Sequence, residues 1–401
     1  MNLNNEIKLS SIISIAFLLV MISLYFGRFH FDIGFSLKPF MFVTLFIIIF
    51  LNKYMKFYKF YSFEIIMIIF IIAHSSTALY FKYPAASLRF ILAFNLILIF
   101  YFSLRGLIDR LEVEKIEQLI SRAGLIGIIA SIIYYLIGIS TVGMNFSGNG
   151  LNYYGLMIDR STPRLTGTPS NDPNIFVFYI TLYFFYILNH LHLKINKIGC
   201  FLAAITIILT FSRGASVAIV IGIILNLILE RNVKKNYKSI TVISLFLVLI
   251  ISLGSSLAIN PVTYIEKRFL SISSDGGSGR FTLWNNAYET FLEHPFGIGI
   301  NSSLDYDRDH SLKVRYVHNS LLEVLMESGI IGITFYSLFW ISIFILAIKL
   351  YLKNNKTLFI LIIFITMFIQ MLTLSIVYNE AFYFMLLILY RYSREIIPKK
   401  T

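Results

Sequence analysis

The sequence predicts an all-α polytopic membrane protein, with one membrane domain over residues 1–401. Hydrophobic residues make up 57% of the chain and charged residues only 14%, whereas about a quarter of a soluble domain is charged. Apolar runs of about 15 to 24 residues recur along the whole chain, as expected of helices that cross a bilayer. The runs are continuously apolar rather than alternating, so neither a transmembrane barrel nor other sheet is expected.

The apolar runs predict about twelve transmembrane helices. Several are short for a bilayer and are expected to tilt little or to be partly re-entrant. The expected positions are 9–27, 38–51, 61–81, 87–104, 117–140, 174–191, 197–211, 213–230, 239–259, 320–348, 357–376 and 379–393.

The distribution of basic residues predicts the orientation of these helices. Lysines and arginines gather in alternate short loops, at 53–59, 105–115, 194–197, 231–238 and 349–356, and in the C-terminal tail. By the positive-inside rule these loops and both termini are cytoplasmic. This pattern accounts for much of the net charge of +13. A nucleic-acid partner is excluded, because no basic domain lies outside the apolar runs.

Two long segments are then predicted to face outward. They are 141–173 and 260–319, and the second is the largest polar stretch of the chain. Its six basic and seven acidic side chains nearly cancel, so we expect a structured loop. Apolar residues at helical spacing between 284 and 291 predict a short amphipathic helix on or near the membrane.

The cytoplasmic loops are too short to hold a nucleotide-binding domain of about 100 residues. The chain also has no glycine-rich dinucleotide or Walker sequence. A substrate is therefore expected from the membrane or from the outer compartment.

Arg213 lies in a short turn between the predicted helices 197–211 and 213–230. At about 1.5 Å per residue each helix reaches about 25 Å, less than the roughly 30 Å hydrocarbon core. Arg213 is therefore expected to be recessed at the outer end of the bundle. A recessed arginine is costly and tends to mark a site for an anionic partner, with snorkelling to lipid headgroups as the alternative.

Four further residues in the outward segments are candidates for a functional site. Arg164 begins a turn-rich stretch and has no evident structural role, whereas Arg280 follows a glycine-rich approach that allows close contact with a ligand. His318 stands at the mouth of a predicted helix, and Arg315 precedes it by three residues.

The chemistry of these residue types favours a diphosphate leaving group. Arginines bind phosphates with planar forks and stay charged, and a histidine titrates near neutrality and can take a proton from a hydroxyl. Together they suit displacement at a carbon that bears a diphosphate. No cluster of metal-ligating residues is evident, so the sequence requires no metal; we interpret the alternation Asp305, Asp307, Asp309 as a solvated loop.

The chain resembles the O-antigen polymerase and ligase superfamily, whose members have about twelve spans and a large periplasmic loop before a late helix. The resemblance covers most of the chain in topology and about 160–335 in motif. The matching pieces are Ser212-Arg213-Gly214, Gly279-Arg280 with Trp284, His294 to Gly299, and His318-Asn319 leading to Gly329.

This resemblance implies a glycosyltransferase of the bacterial inner membrane. Such enzymes transfer glycans from undecaprenyl diphosphate at the periplasmic face by a metal-independent, inverting reaction without a cofactor. Carried over to this sequence, the resemblance implies Arg213 and Arg280 as diphosphate ligands and His318 as the base, with weaker support for Arg164 and Arg315.

The same resemblance leaves the acceptor open between two activities. A polymerase joins two undecaprenyl-diphosphate-linked units, whereas a ligase transfers the glycan to the lipid A core. We expect a polymerase, because the asparagine-rich stretch 170–174 and the composition are similar to those of polymerases. Trp284 stands where the family has leucine, which weakens the ligase alternative. The resemblance also implies a chain-length regulator as a candidate partner protein, and a lipid-linked oligosaccharide flippase is a third alternative for the function.

Overall fold

The computed structural model describes residues 3–32, 35–79, 83–231 and 279–397, which are mostly helical. The helices of this part are α1 (Leu3–Leu24), α2 (Pro39–Leu51), α3 (Ser62–Ser76), α4 (Pro84–Ile108), α5 (Val113–Val142), α6 (Pro173–Asn189), α7 (Lys194–Leu209), α8 (Arg213–Leu229), α9 (Arg280–Glu293), α10 (Ser303–Asp309), α11 (Ser320–Lys353), α12 (Leu358–Met371) and α13 (Glu380–Ile396). Short 3₁₀ turns occupy Asn52–Tyr54, Thr77–Leu79 and Asn355–Thr357.

Each predicted helix within the described ranges corresponds to an observed one, while the predicted segment 239–259 lies outside them. By length and composition four of the observed helices can cross a membrane: Ser62–Leu79, α4, α5 and α11. α1 has an apolar stretch of 17 residues, Lys8–Leu24, and the shorter apolar helices include α6, α8 and the segments Pro39–Tyr54 and Asn355–Met371. The chain is thus a helical protein with apolar, membrane-type helices, and the count of twelve spans stays a prediction.

The core lies around three helices that are buried along most of their length, α6, α12 and α13. The longer helices α5 and α11 expose apolar side chains such as Ile133 and Ile341, each more than half exposed. Apolar side chains with this exposure suit a lipid environment, because in water such a surface would promote aggregation. Since the middle of the bundle is apolar, we expect a polar site at the ends of the central helices α6, α12 and α13.

Short polar side chains cap the N-termini of four helices at one end of the bundle. Asp172 caps α6, Ser212 caps α8, Asn319 caps α11 and Asn379 caps α13, each by accepting a hydrogen bond from a backbone N–H of the first turn. Such caps are needed because the first N–H groups of a helix have no partner within it. The caps fix where each helix begins, and with it the position of the residues beside the cap.

The expectation that the chain holds no sheet is wrong for the segment 141–173. Strands β3 (Leu151–Tyr153), β4 (Leu156–Asp159) and β5 (Thr162–Leu165) form a small antiparallel sheet there, in addition to a two-stranded pair, β1 (Phe31–Asp32) with β2 (Ser36–Leu37). The turn from β4 to β5 has positive φ at both central residues, Arg160 (51°) and Ser161 (57°). This geometry matches the twist of a tight hairpin, although neither residue is the usual asparagine or glycine.

A helix, α9, is observed where the short amphipathic helix is predicted, while its place on or near the membrane stays a prediction. Leu283, Ala287 and Thr290 are buried on one face. The opposite face exposes apolar side chains, with Tyr288 at 49% and Leu292 at 60% exposed. A helix with one face packed on protein and an apolar face open is suited to lie against lipid.

α11 is broken at Gly329, which has φ 58° and ψ −154°. The segment before α10 fills the break, because Ile298 N donates to Met326 O at 3.0 Å and Ile330 N donates to Pro295 O at 2.9 Å. A Cβ built on Gly329 would lie 2.1 Å from Pro295 O. The stretch His294 to Gly299 and the stretch from His318 to Gly329 are therefore joined in one structural unit.

Gly329→Ala is expected to destabilise the protein strongly, because the new methyl group meets a backbone oxygen and this ψ is open essentially to glycine only. Gly143→Ala is the matched control: Gly143 also has positive φ (57°), but a Cβ there meets nothing within 4 Å. In the control the free energy of unfolding should fall by about 1–2 kcal/mol, the cost of a left-handed backbone for alanine. In the Gly329 variant it should fall by about 1–3 kcal/mol more, because of the steric conflict. Thermal unfolding in detergent measures both; equal losses would contradict the packing described for Gly329.

Candidate functional site

The five residues predicted to form a site come from four separate stretches of the chain. Arg164 lies on β5, Arg213 and Arg280 are the first residues of α8 and α9, and Arg315 and His318 lie in the loop before α11. Arg164 and Arg213 are within electrostatic reach of Arg280. His318 is within reach of Arg280 and Arg315. The fold thus brings all five to one end of the bundle, while their roles stay a prediction.

Arg164 is held in place by two hydrogen bonds. Its Nε donates to Thr210 O at 2.9 Å, and its Nη1 forms an ion pair with Asp159 Oδ2 at 2.8 Å. The first bond joins the small sheet to the turn between α7 and α8. Arg164 therefore has a structural role in addition to its charge, and it fixes the position of the turn that carries Arg213.

The turn that carries Arg213 is tight and well anchored. Phe211 adopts a positive φ of 49°. Ser212 is buried, accepts from Ala215 N at 3.3 Å and donates to the side-chain oxygen of Asn174. The adjoining helices have only 16 and 17 residues, about 25 Å each at 1.5 Å per residue. This length agrees with the prediction that the half-buried Arg213 is recessed.

Arg280 lies in a crowded cationic environment. Burial lowers the pKa of its guanidinium, and Arg213 and Arg164 lower it further, whereas Asp172 opposes them. Like charges that are held together by the fold repel one another, and a bound anion would relieve that repulsion. The arrangement is therefore suited to bind a multiply charged anion.

The turn at His318 is clamped to the 372–379 turn, which joins α12 to α13. His318 has a positive φ of 53°, and its backbone N–H donates to Ser375 Oγ at 3.0 Å. Ser320 Oγ donates to Leu374 O at 2.7 Å and accepts from Ile376 N at 3.1 Å. Positive φ is uncommon for a residue other than glycine, and these contacts hold His318 in that conformation.

The surroundings of His318 keep its imidazole neutral. Burial is the largest cause that lowers its pKa, and Arg280 and Arg315 lower it further, with Asp172 acting in the opposite sense. A neutral imidazole at physiological pH is the form that accepts a proton. His318 is thus suited to be a general base next to a group of cations.

A buried polar network reaches the same 372–379 turn that holds His318, and sequence reasoning missed it. His74 Nδ1 shares a hydrogen bond of 2.8 Å with Ser328 Oγ, and His74 Nε2 contacts the Tyr378 hydroxyl and lies 3.6 Å from Glu327 Oε2. The network joins α3, α11 and the 372–379 turn. Charged residues inside apolar helices signal such a network, but their partners lie far apart in sequence.

The interpretation of the aspartates as a solvated loop is wrong for Asp307. This residue lies in α10 and is buried, and burial raises the pKa of its carboxyl to about 6. The carboxyl accepts a hydrogen bond from the backbone N–H of Arg315. Asp307 therefore shapes the loop that presents Arg315 and His318.

No group of three or more histidine, cysteine or acidic side chains is arranged to hold a metal ion within the ranges 3–32, 35–79, 83–231 and 279–397.

A comparison with protein families finds a match over part of the chain. Residues 198–337 match the family described as O-antigen ligase. The matched range contains Arg213, Arg280, Arg315 and His318, whereas Arg164 precedes it. This match confirms the resemblance predicted from the sequence. Among curated proteins, none matches the chain.

Asp307→Asn is expected to stabilise the protein at pH 8 and to lose that advantage at pH 4. The raised pKa means that the folded state disfavours the ionised carboxyl, so wild-type stability falls as the pH rises from about 4 to about 6. Asparagine keeps an oxygen for the Arg315 N–H and has no charge to bury. Unfolding temperatures at the two pH values measure the effect, expected to be a few degrees.

The control is Asp305→Asn, because Asp305 is 33% exposed and only pairs with Arg308 on the surface. It should show no gain that depends on pH. An equal gain in both variants would contradict the burial assigned to Asp307.

Proposed function

We propose that this member of the O-antigen polymerase and ligase superfamily is an O-antigen polymerase. It joins undecaprenyl-diphosphate-linked repeat units at the periplasmic face of the bacterial inner membrane by inverting glycosyl transfer. The observation that carries the proposal is that Arg164 and Arg213 lie around Arg280, while Arg280 and Arg315 lie beside the imidazole of His318.

The arginines bind the diphosphate of the donor and stabilise it as it leaves. Arg213 and Arg280 are the main ligands, because each stands at the first residue of a helix, where backbone N–H groups add to the positive potential. Arg164 and Arg315 add charge from the sides. Their charge acts most strongly on the transition state, in which the bond to the diphosphate is breaking.

His318 activates the acceptor. Its neutral imidazole takes the proton from an acceptor hydroxyl while that oxygen attacks the anomeric carbon of the donor sugar. The bond from that carbon to the diphosphate breaks, and the electron pair leaves with the diphosphate. Attack from the face opposite the leaving group inverts the configuration.

Lipid-linked substrates reach the site from the side. The exposed apolar face of α9, with Phe281, Tyr288 and Leu292, begins one residue after Arg280. This apolar face supports an opening toward lipid, through which a polyprenyl chain can stay in the bilayer while its diphosphate meets the arginines. The predicted topology, with cytoplasmic termini and the segments 141–173 and 260–319 in the periplasm, agrees with this access.

An O-antigen ligase is the second candidate, since the matched family carries that description. The donor and its diphosphate are the same in both reactions, so the arginines and His318 serve either one. The activities differ in the acceptor, which is a lipid-linked unit for a polymerase and the lipid A core for a ligase.

Deletion of the gene distinguishes the two activities on a lipopolysaccharide gel. We expect single repeat units on the core in the deletion strain, with the full ladder restored by the wild-type gene but not by His318→Ala at equal membrane level. Bare core with lipid-linked polymer would instead identify a ligase. A ladder restored by His318→Ala would remove His318 as the base.

Arg213→Lys and Arg280→Lys are each expected to slow transfer by about tenfold or more, because lysine keeps the charge but lacks the bidentate fork. The control is Arg308→Lys, since Arg308 lies on α10 with 65% of its side chain exposed. Chain extension by purified protein with extracted lipid-linked repeat units measures all three. Wild-type rates in either of the first two variants would count against diphosphate binding by that arginine.

A further inference from the structure

Asp172 stands at the candidate site, and the mechanism above gives it no role. It is half-buried, and its Oδ1 accepts hydrogen bonds from the backbone and side-chain nitrogens of Asn174, both at 2.7 Å. These bonds account for the cap of α6. They do not account for an acidic residue beside a cationic site, because asparagine or serine caps a helix equally well.

The position of Asp172 is fixed relative to the rest of the site. Asn174 also accepts the hydrogen bond of Ser212, next to Arg213. Gly214 in turn packs against the 372–379 turn, where a Cβ on Gly214 would lie 2.9 Å from Thr373 Oγ1. The same turn holds His318 through Ser375. The caps of α6 and α8 and the His318 turn are thus joined by direct contacts.

Asp172 acts on His318 in the opposite sense to the arginines around it. Arg280 from α9 and Arg315 from the same loop disfavour a positive imidazole, and Asp172 favours it. Arg164 and Arg213 stand around Arg280, on which Asp172 also acts. On the side of α11, Glu323 hydrogen-bonds Ser375, which holds the His318 backbone. Asp172 is therefore a negative charge that acts both on Arg280, the proposed diphosphate ligand, and on His318, the proposed base.

We infer that Asp172 is a positioning residue for His318. The Asp172 carboxylate stabilises the imidazolium that forms when His318 takes the proton of the acceptor. This inference rests on the proposed glycosyl transfer. The proton moves from the acceptor oxygen to the imidazole, the new carbon–oxygen bond forms, and the bond to the diphosphate breaks with its electron pair. Asp172 stays ionised throughout and exchanges no proton.

The same carboxylate competes with the donor for Arg280. Its negative charge lies near the guanidinium that binds the diphosphate, so it weakens donor binding while it assists proton transfer. Removal of the charge should therefore lower kcat without raising the KM of the donor. Loss of a purely structural cap would instead disturb the turn and impair both.

Asp172→Asn tests the inference, because asparagine keeps the cap of α6 and removes only the charge. The assay uses purified protein in proteoliposomes with undecaprenyl-diphosphate-linked repeat units extracted from a deletion strain. We expect kcat to fall about 10- to 100-fold and the donor KM to stay equal or fall. The acidic limb of kcat/KM should move to lower pH, because the His318 pKa loses the group that raises it.

Asp172→Ser provides a second uncharged cap, and unfolding temperatures check that each variant is folded. Asp305→Asn is the charge-loss control away from His318 and should match the wild type. Wild-type kcat and an unshifted limb in a folded Asn or Ser variant would overturn the inference and leave the proposed function intact. An inactive wild-type protein in the same assay would overturn the proposed function, and this inference with it.

Discussion

Repulsion among half-buried guanidinium groups is the constraint on which the rest of this site depends. Arg164 and Arg213 each act on Arg280, and an apolar setting gives such repulsion more weight than water would. The fold must hold these groups together without a bound anion. Rigid local structure holds them, so folding supplies the energy of bringing the charges together. In the proposed mechanism, binding of the diphosphate relieves their repulsion.

That rigid structure is made of helix starts and turns rather than of long spans. The caps at Ser212 and Asn319 fix the residues beside them. The turn between α7 and α8, which Arg164 holds through Thr210 O, fixes Arg213. The break at Gly329 adds to this rigid structure, because the segment before α10 fills the break and forms backbone hydrogen bonds with both sides of it. Function and fold thus share the same polar groups.

Part of this arrangement could be predicted because it depends on local sequence. The apolar runs predicted the helices, and Asn319 after His318 predicted a helix start. The short runs around Arg213 predicted two short helices, which are observed, while its recessed place stays a prediction. The sheet at 151–165 escaped prediction, since its strands are very short and its turn at Arg160 and Ser161 lacks the usual turn residues. Asp307 was misjudged because alternation of charge in sequence says nothing of burial.

Contacts between distant stretches explain what else could not be predicted. Asp172 is an ordinary cap when considered alone, and the role we infer for its charge depends on the approach of α9 and the His318 loop. Similarly, His74 and Glu327 are 253 positions apart and meet only because α3 packs on α11. Spacing within one sequence holds no signal for such pairs.

The most direct test of the account is a cryo-EM structure of the protein in nanodiscs with undecaprenyl diphosphate. The account predicts that the diphosphate lies between Arg213 and Arg280, within hydrogen-bond distance of both guanidinium groups, with His318 beside the position of the donor sugar. A diphosphate bound away from these arginines, or a site in which Arg213 and His318 lie on opposite sides of the bilayer, would contradict it.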